Sequence, residues 1–261
     1  MNDDASPLPP WHLVTVHGFM GSPFDWDPVL AGLDSGIAAT SVCLPGHQPG
    51  NALAEGHSLN EALKALVAAI SRVDPSRRLA VAGYSMGGRL LLQALGSGLI
   101  SPEAVLLVSS SPGLEDARER TARRRADAQW AARIRSEAWS GLLRAWYTQP
   151  VFQDLLDDPV QFDALLASRM PLEACREGLA KVIVGMSPGE LPSMWHRIRR
   201  LSIPLLAMAG ERDARYVDIV ERVQRLSRGA QAVIVPKAGH ALLRVAPGAV
   251  AKAINHFLQR S

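Results

Sequence analysis

The pentapeptide Gly83-Tyr84-Ser85-Met86-Gly87 has the form Gly-x-Ser-x-Gly and lies between an apolar run, LAVAG, and a helical pattern, GRLLLQAL. A serine in that setting is expected on a sharp strand-to-helix turn, with glycines two before and two after it leaving room for the crossing elements. Its hydroxyl then stands clear above a helix N-terminus, which favours negative charge. A serine hydroxyl is a weak nucleophile or base until a second group takes its proton. In this chain order the partners should follow the serine, acid first and histidine last. His240 ends VIVPKAGH and Asp213 ends LLAMAGERD, each just past an apolar run. Glu211 and Asp218 are neighbours that could replace Asp213. The other histidines fit worse: His12 starts a strand, His57 and His196 precede or sit on helical patterns, and His256 lies in the last helix. His17 and His47 fall in loops near the site but precede the serine.

A third feature is HGFMGSPFDW, from His17 to Trp26, after the first strong apolar run. A glycine beside a strand end lets backbone N–H groups turn toward an incoming oxygen. The expected donors are the N–H groups of Phe19 and Met86, the latter directly after the serine.

The elements that must position these residues are legible as an alternation. WHLVTVHG from Trp11, ATSVCLPG from Ala39, RRLAVAGYS, AVLLVSSSPG from Ala104, IPLLAMAGERD from Ile203 and AQAVIVPKAGH from Ala230 read as strands, the first two as buried ones. SLNEALKALVAAISRV reads as a helix, with Ser58 as N-cap and Glu61 completing a capping box. MGGRLLLQALGSG and roughly Pro247 to Leu258 read as two more helices. Strands alternating with helices imply an α/β fold with a mostly parallel central sheet. Residues from about Pro112 to Arg200 break the rhythm: no strand, helical spacing, and breaks near Pro150, Pro159, Pro171 and Pro188. The expected organisation is a core of residues 1–111 and 201–261, with a helical cap of residues 112–200 over the carboxyl ends of the strands, where ligands sit in open α/β sheets.

Composition narrows the classes further. The chain has 261 residues, 48% of them hydrophobic, enough for a sizeable core. Its net charge of +3 is too weak to point to nucleic acid but suits a basic face over a small anion. Cys43 and Cys175 fit no zinc or redox spacing and read as buried, reduced thiols. MNDDASPLPPW lacks the apolar segment of a signal peptide, and no apolar run approaches the roughly 20 residues that span a bilayer. The expectation is a soluble cytoplasmic protein, monomeric or a weak homo-oligomer.

With these residues placed, the chain resembles the α/β-hydrolase superfamily over most of its length, and within it the MenH family of menaquinone biosynthesis, the 2-succinyl-6-hydroxy-2,4-cyclohexadiene-1-carboxylate synthases. HGFMGSPFDWDPVL resembles that family's entry loop, LPGHQPG its LPGHG segment, and GYSMGGRLLL carries Arg89 four residues after the serine. SPGLED, ARRRADAQWAARI and WYTQPVF resemble its cap, and GERDARY and AGHALLRVAP its acid and histidine loops. The resemblance implies a lyase without metal or organic cofactor. On that resemblance Ser85 is expected to remove a proton as pyruvate leaves, with the donors at Phe19 and Met86 holding the enolate. It also implies a small tricarboxylate substrate, with Arg89, Arg123 and Arg169 as carboxylate ligands and Tyr84, Trp146 and Tyr147 shaping the pocket. For the run from Arg118 to Arg125 the other reading is a solvated helix face paired with Glu115, Glu119 and Asp127. The sequence departs from the family at Cys43, where an aspartate is usual, at Gln48, and at Ala241 and Leu242 after the histidine. Two alternatives stay open: a carboxylesterase or C–C hydrolase with Ser85 as a true nucleophile, and a binding protein that has lost catalysis.

Overall fold

The computed structural model describes residues 10–48 and 59–261. Six strands, β1 (Trp11–Val16), β2 (Ala38–Val42), β3 (Arg78–Tyr84), β4 (Ala104–Val108), β5 (Leu205–Gly210) and β6 (Ala230–Val235), form one sheet in the order β2-β1-β3-β4-β5-β6. Every neighbouring pair is parallel. The period of two in side-chain direction divides the core: Val14, Val81, Val105, Leu107, Leu205 and Ala207 face one layer, while Leu13, Ala80, Ala82, Leu106, Leu206 and Met208 face the other. Burial on both faces explains why the central strands are continuous apolar runs rather than alternating ones.

Helices close both sides. The elbow helix (Met86–Gly96), Leu59–Ile70 and Ala214–Leu226 bury Leu90, Leu91, Leu66, Val220 and Val223 against the first layer. The last helix (Pro247–Gln259) buries Val250, Ile254 and Phe257 against the second. The expected cap of Leu59–Ile70, Ser58, lies outside the described residues; Glu61 is in the first turn, bonded to Lys64 at 3.0 Å. One expectation needs correction. β2 is not a buried strand: it is an edge strand with Ala39 and Thr40 exposed, because an edge has a neighbour on one side only.

Between β4 and β5 the described chain forms helices and turns and no strand. The long helix Ala117–Ser136 starts at Asp116, whose carboxylate accepts from the N–H groups of Arg118 and Glu119, both at 2.9 Å. It is followed by Trp139–Tyr147, Pro159–Arg169 and Arg176–Gly185. Pro150 and Pro159 open helical segments, where a missing N–H is harmless. This region has its own apolar cluster, including Ile134, Trp139, Leu142, Leu143 and Leu179, which reaches Met20 and Ala241 of the loops above the sheet. The segment leaves and returns through one neck: Met194 N–H donates to the Pro112 carbonyl at 2.7 Å, and the Trp195 indole N–H to the Gly113 carbonyl at 3.2 Å.

Both cysteines are free thiols, and Cys175 is buried, but Cys43 is only half-buried; it follows the exposed edge strand.

Candidate active site

Ser85 caps the elbow helix at φ 50°, ψ −108°, a left-handed conformation that costs a non-glycine residue on the order of 1–3 kcal/mol. Its neighbours hold it there. Ser85 N–H donates to the Val108 carbonyl at 2.9 Å, and Ser110 Oγ donates to the Ser85 carbonyl at 2.7 Å. The flanking glycines are obligatory for packing: a Cβ on Gly83 would lie 2.4 Å from the Gly88 nitrogen, and one on Gly87 would lie 2.4 Å from the Val16 carbonyl oxygen.

His240 and Asp213 converge on this turn from the ends of β6 and β5. His240 Nε2 lies 3.1 Å from Ser85 Oγ, and Nδ1 lies 2.8 Å from Asp213 Oδ2. A carboxylate only accepts, so Nδ1 carries the proton and donates to Asp213, leaving Nε2 to accept from the serine hydroxyl. Glu211, the neighbouring alternative, is turned away and accepts from Lys237 N–H at 2.8 Å. The rings of Tyr216, Phe152 and Tyr84 surround His240, with centroids at 4.6, 5.6 and 5.7 Å. The departures after the histidine have a packing reason: Leu242 is fully buried in the core and Ala241 joins the apolar cluster of the region above.

The loop that carries Phe19 is fixed by His17. Its Nδ1–H donates to the Gly18 carbonyl at 2.8 Å, and its Nε2 accepts from Leu44 N–H at 3.1 Å. Burial pushes its pKa down to about 4, so it is neutral at pH 7. The His47 ring packs edge-on at 4.9 Å and is likewise held neutral by burial. His17 therefore ties this loop to the segment after β2.

Two cavities meet at Ser85. The smaller, about 210 Å³, is lined by Phe19, Met86, Arg89, Arg123, Trp146 and Tyr216, among others, together with His240. The larger, about 570 Å³, is lined by Tyr84, Trp146, Tyr147, Arg169, Asp25 and Arg244, among others. Phe19 and Trp146, in ring contact at 5.0 Å, border both. Ser85, His240, Phe19, Met86, Tyr84, Arg89, Arg123, Trp146, Tyr147 and Arg169 thus each border one or both of these cavities, while Asp213 lies behind His240.

The arginines differ in their partners. Arg89 has a buried Nε without a hydrogen-bond partner, and burial lowers its pKa to about 10 while leaving it charged at neutral pH. Arg123 Nε straddles both oxygens of buried Asp127 at 2.9 and 2.8 Å. Arg169 donates to Asp25 Oδ1 at 2.6 Å and to Tyr147 Oη at 3.3 Å. The arginine-rich helix is only partly a solvated face. Arg120 and Arg124 donate to the carbonyls of Leu191 and Gly189, and Glu115 pairs with Arg222 rather than with that helix. Sequence reasoning missed Tyr216, Asp25 and Arg244. Tyr216 and Arg244 lie three and four residues after the acid and the histidine, a helical-turn spacing that could have raised them. Asp25 gave no signal, because its partner is 144 positions away. Among the described residues no cluster of three or more metal-ligating side chains occurs.

A serine on a strand–turn–helix, hydrogen-bonded through histidine to a carboxylate at the edge of a parallel sheet, defines an α/β-hydrolase fold, and the alpha/beta hydrolase family model matches residues 13–253. The chain is 32% identical to the 2-succinyl-6-hydroxy-2,4-cyclohexadiene-1-carboxylate synthase of Yersinia enterocolitica, covering 97% of this chain and 88% of that protein. Identity to the synthase of Yersinia pestis is 34% over the same shares. The chain belongs to this synthase family. It is also 28% identical to the chloroplastic protein PHYLLO of Arabidopsis thaliana over 94% of its own length, but spans only 15% of that protein. Among solved structures, MenH from S. aureus superposes with a TM-score of 0.87 at 23% identity, covering 96% of this chain and 94% of the other, and so shares the fold.

Proposed function

We propose that this chain is a carbon–oxygen lyase that eliminates pyruvate from 2-succinyl-5-enolpyruvyl-6-hydroxy-3-cyclohexene-1-carboxylate, giving 2-succinyl-6-hydroxy-2,4-cyclohexadiene-1-carboxylate for menaquinone biosynthesis. The relatives named above carry the reaction class. The observation that carries it to this site is an unpartnered guanidinium, Arg89, beside the activated hydroxyl of Ser85 in one small cavity. A neutral ester gives such a cation nothing to bind; a polycarboxylate does.

The names of substrate and product specify the bond changes. The proton on C2, next to the succinyl ketone, is lost; the ring double bond at C3 becomes a 2,4-diene; and the enolpyruvyl oxygen leaves C5. In our reading Ser85 Oγ takes the C2 proton as its own passes to His240 Nε2, and Asp213 holds the imidazolium that results. The N–H groups of Phe19 and Met86 hold the enolate oxygen of the ketone. The dienolate expels the enolate of pyruvate. The proton taken from C2 ends on pyruvate, so the enzyme finishes in its starting protonation state. Tyr84, Trp146 and Tyr147 shape the space, and Arg89, Arg123 and Arg169 face the carboxylates. Residues 112–200 act as the cap that excludes water from this chemistry. No described helix is long and apolar enough to cross a membrane, and we place the protein in the cytoplasm.

The test supplies the enolpyruvyl precursor, made in place by the preceding enzyme, and follows pyruvate by a coupled dehydrogenase. Pyruvate release that depends on Ser85 is expected. Rapid hydrolysis of neutral acyl esters with an acyl-enzyme burst, and no pyruvate, would overturn the assignment in favour of an esterase.

A further inference from the structure

Three cations are expected for three substrate carboxylates, but the three found by resemblance are not equally available. Arg123 and Arg169 reach their cavities with a counter-charge already bound, Asp127 and Asp25 respectively. Asp25 is itself fully engaged, since its Oδ2 accepts from Ser22 N–H at 3.0 Å. Arg89 alone among the three is unneutralised.

The larger cavity holds one more guanidinium. Arg244 lies in the short turn Leu242–Val245, four residues after His240. Buried Leu242 and Leu243 anchor that turn in the core, and Arg244 N–H donates to the Ala241 carbonyl at 2.9 Å, so the backbone from which it projects is rigid. Its Nε is buried with no hydrogen-bond partner. It heads no ion pair among the described residues; the charges that act on it are Arg169, which opposes it, and Asp25, already committed elsewhere. A buried donor without an acceptor and a cation without an anion are both unfavourable, and a carboxylate relieves both.

We propose that Arg244 is a substrate-binding residue, its guanidinium taking a carboxylate of a polyanionic small molecule in the larger cavity. Arg89 and Arg244 are then the two unneutralised cations, one in each cavity, with Ser85 where the cavities meet. The chemistry recognised is a pair of carboxylates held apart on one small scaffold. The identity of that molecule as the enolpyruvyl precursor rests on the function proposed above.

The test uses the full chain and the variants Arg244→Gln and Arg244→Lys. With the enolpyruvyl precursor, Arg244→Gln is expected to raise KM about 10- to 100-fold, the loss of one charge-assisted hydrogen-bond pair, while kcat changes less than about threefold. Arg244→Lys should recover part of that loss as a point charge without the guanidinium fork. The unliganded variants should melt no lower than the parent, since the unpaired guanidinium contributes no stabilising contact. An unchanged KM overturns the inference, as does a loss of kcat accompanied by a lowered melting temperature, which marks a structural residue. A second arm separates the two readings: quenching of tryptophan fluorescence by citrate, at constant ionic strength, in parent and Arg244→Gln. If the parent releases no pyruvate, the proposed reaction falls, and the inference then stands only if citrate binds the parent more tightly than the variant. Equal or absent citrate binding in both overturns it.

Discussion

His17 makes a prediction that joins the site's shape to pH. Its folded-state pKa is about 4, against about 6.5 for an exposed histidine. The unfolded chain therefore binds more protons between those values. The stabilisation is fully present above about pH 6.5 and is lost as pH falls toward 4. Linkage over that interval gives a loss of about 2 kcal/mol between pH 7 and pH 5, and about 3 kcal/mol in total at lower pH. For a chain of this size about 2 kcal/mol corresponds to a fall of roughly 4–8 °C in melting temperature. The cause is burial, which disfavours the charged ring; a proton on Nε2 would in addition point at Leu44 N–H, which already donates there. The assay is urea unfolding by circular dichroism at pH 5, 6 and 7 for the parent and for His17→Gln. His47 titrates in the same direction and is present in both proteins, but the His17 ring contributes to its lowering, so the difference between the two curves reports His17 together with that coupling. The parent should lose about 2 kcal/mol more than the variant on going from pH 7 to pH 5. Parallel curves would falsify the reasoning.

Two other outcomes are expected. Ser85→Ala should lower turnover of the enolpyruvyl precursor at least about a thousandfold, His240→Ala should cost a similar amount, and the double variant little more; fully multiplicative losses in steady-state kinetics would mean that the two residues do not act as a unit. Arg169→Met should destabilise the fold by about 3 kcal/mol in urea, because it leaves the partly buried Asp25 carboxylate without its cation. Adding Asp25→Asn should restore much of that stability, and simple additivity of the two losses would sink this account.

Much of the architecture could be read from the chain because each signal was local. The elbow is five consecutive residues, the strands are short apolar runs, and the acid and histidine each end such a run. The region from Pro112 to Arg200 announced itself by lacking strands. What escaped was information shared between distant segments. β2 reads as buried because Val42 and Leu44 are apolar; its edge position depends on where β1 and β3 pair. The availability of each arginine depends on acids chosen by the fold: Asp127 one turn away, but Asp25 across 144 positions. Arg244 looked unremarkable in its loop, since its distinction is the partner it lacks.

The neck joining Pro112 and Gly113 to Met194 and Trp195 has an evolutionary consequence. β4 and β5 pair directly, Val105 opposite Leu205, although the whole helical region intervenes. Closing a long flexible excursion costs only logarithmically more as it lengthens, about 0.6 kcal/mol per doubling. Such an insert is free to shrink, grow or be replaced with little penalty to the sheet beneath it. Ser85, Asp213 and His240 are delivered by the ends of sheet strands, whereas Arg123, Trp146 and Arg169 are delivered by the insert. Changes in the insert can therefore reshape the two cavities while leaving the hydrogen bonds joining Ser85, His240 and Asp213 untouched.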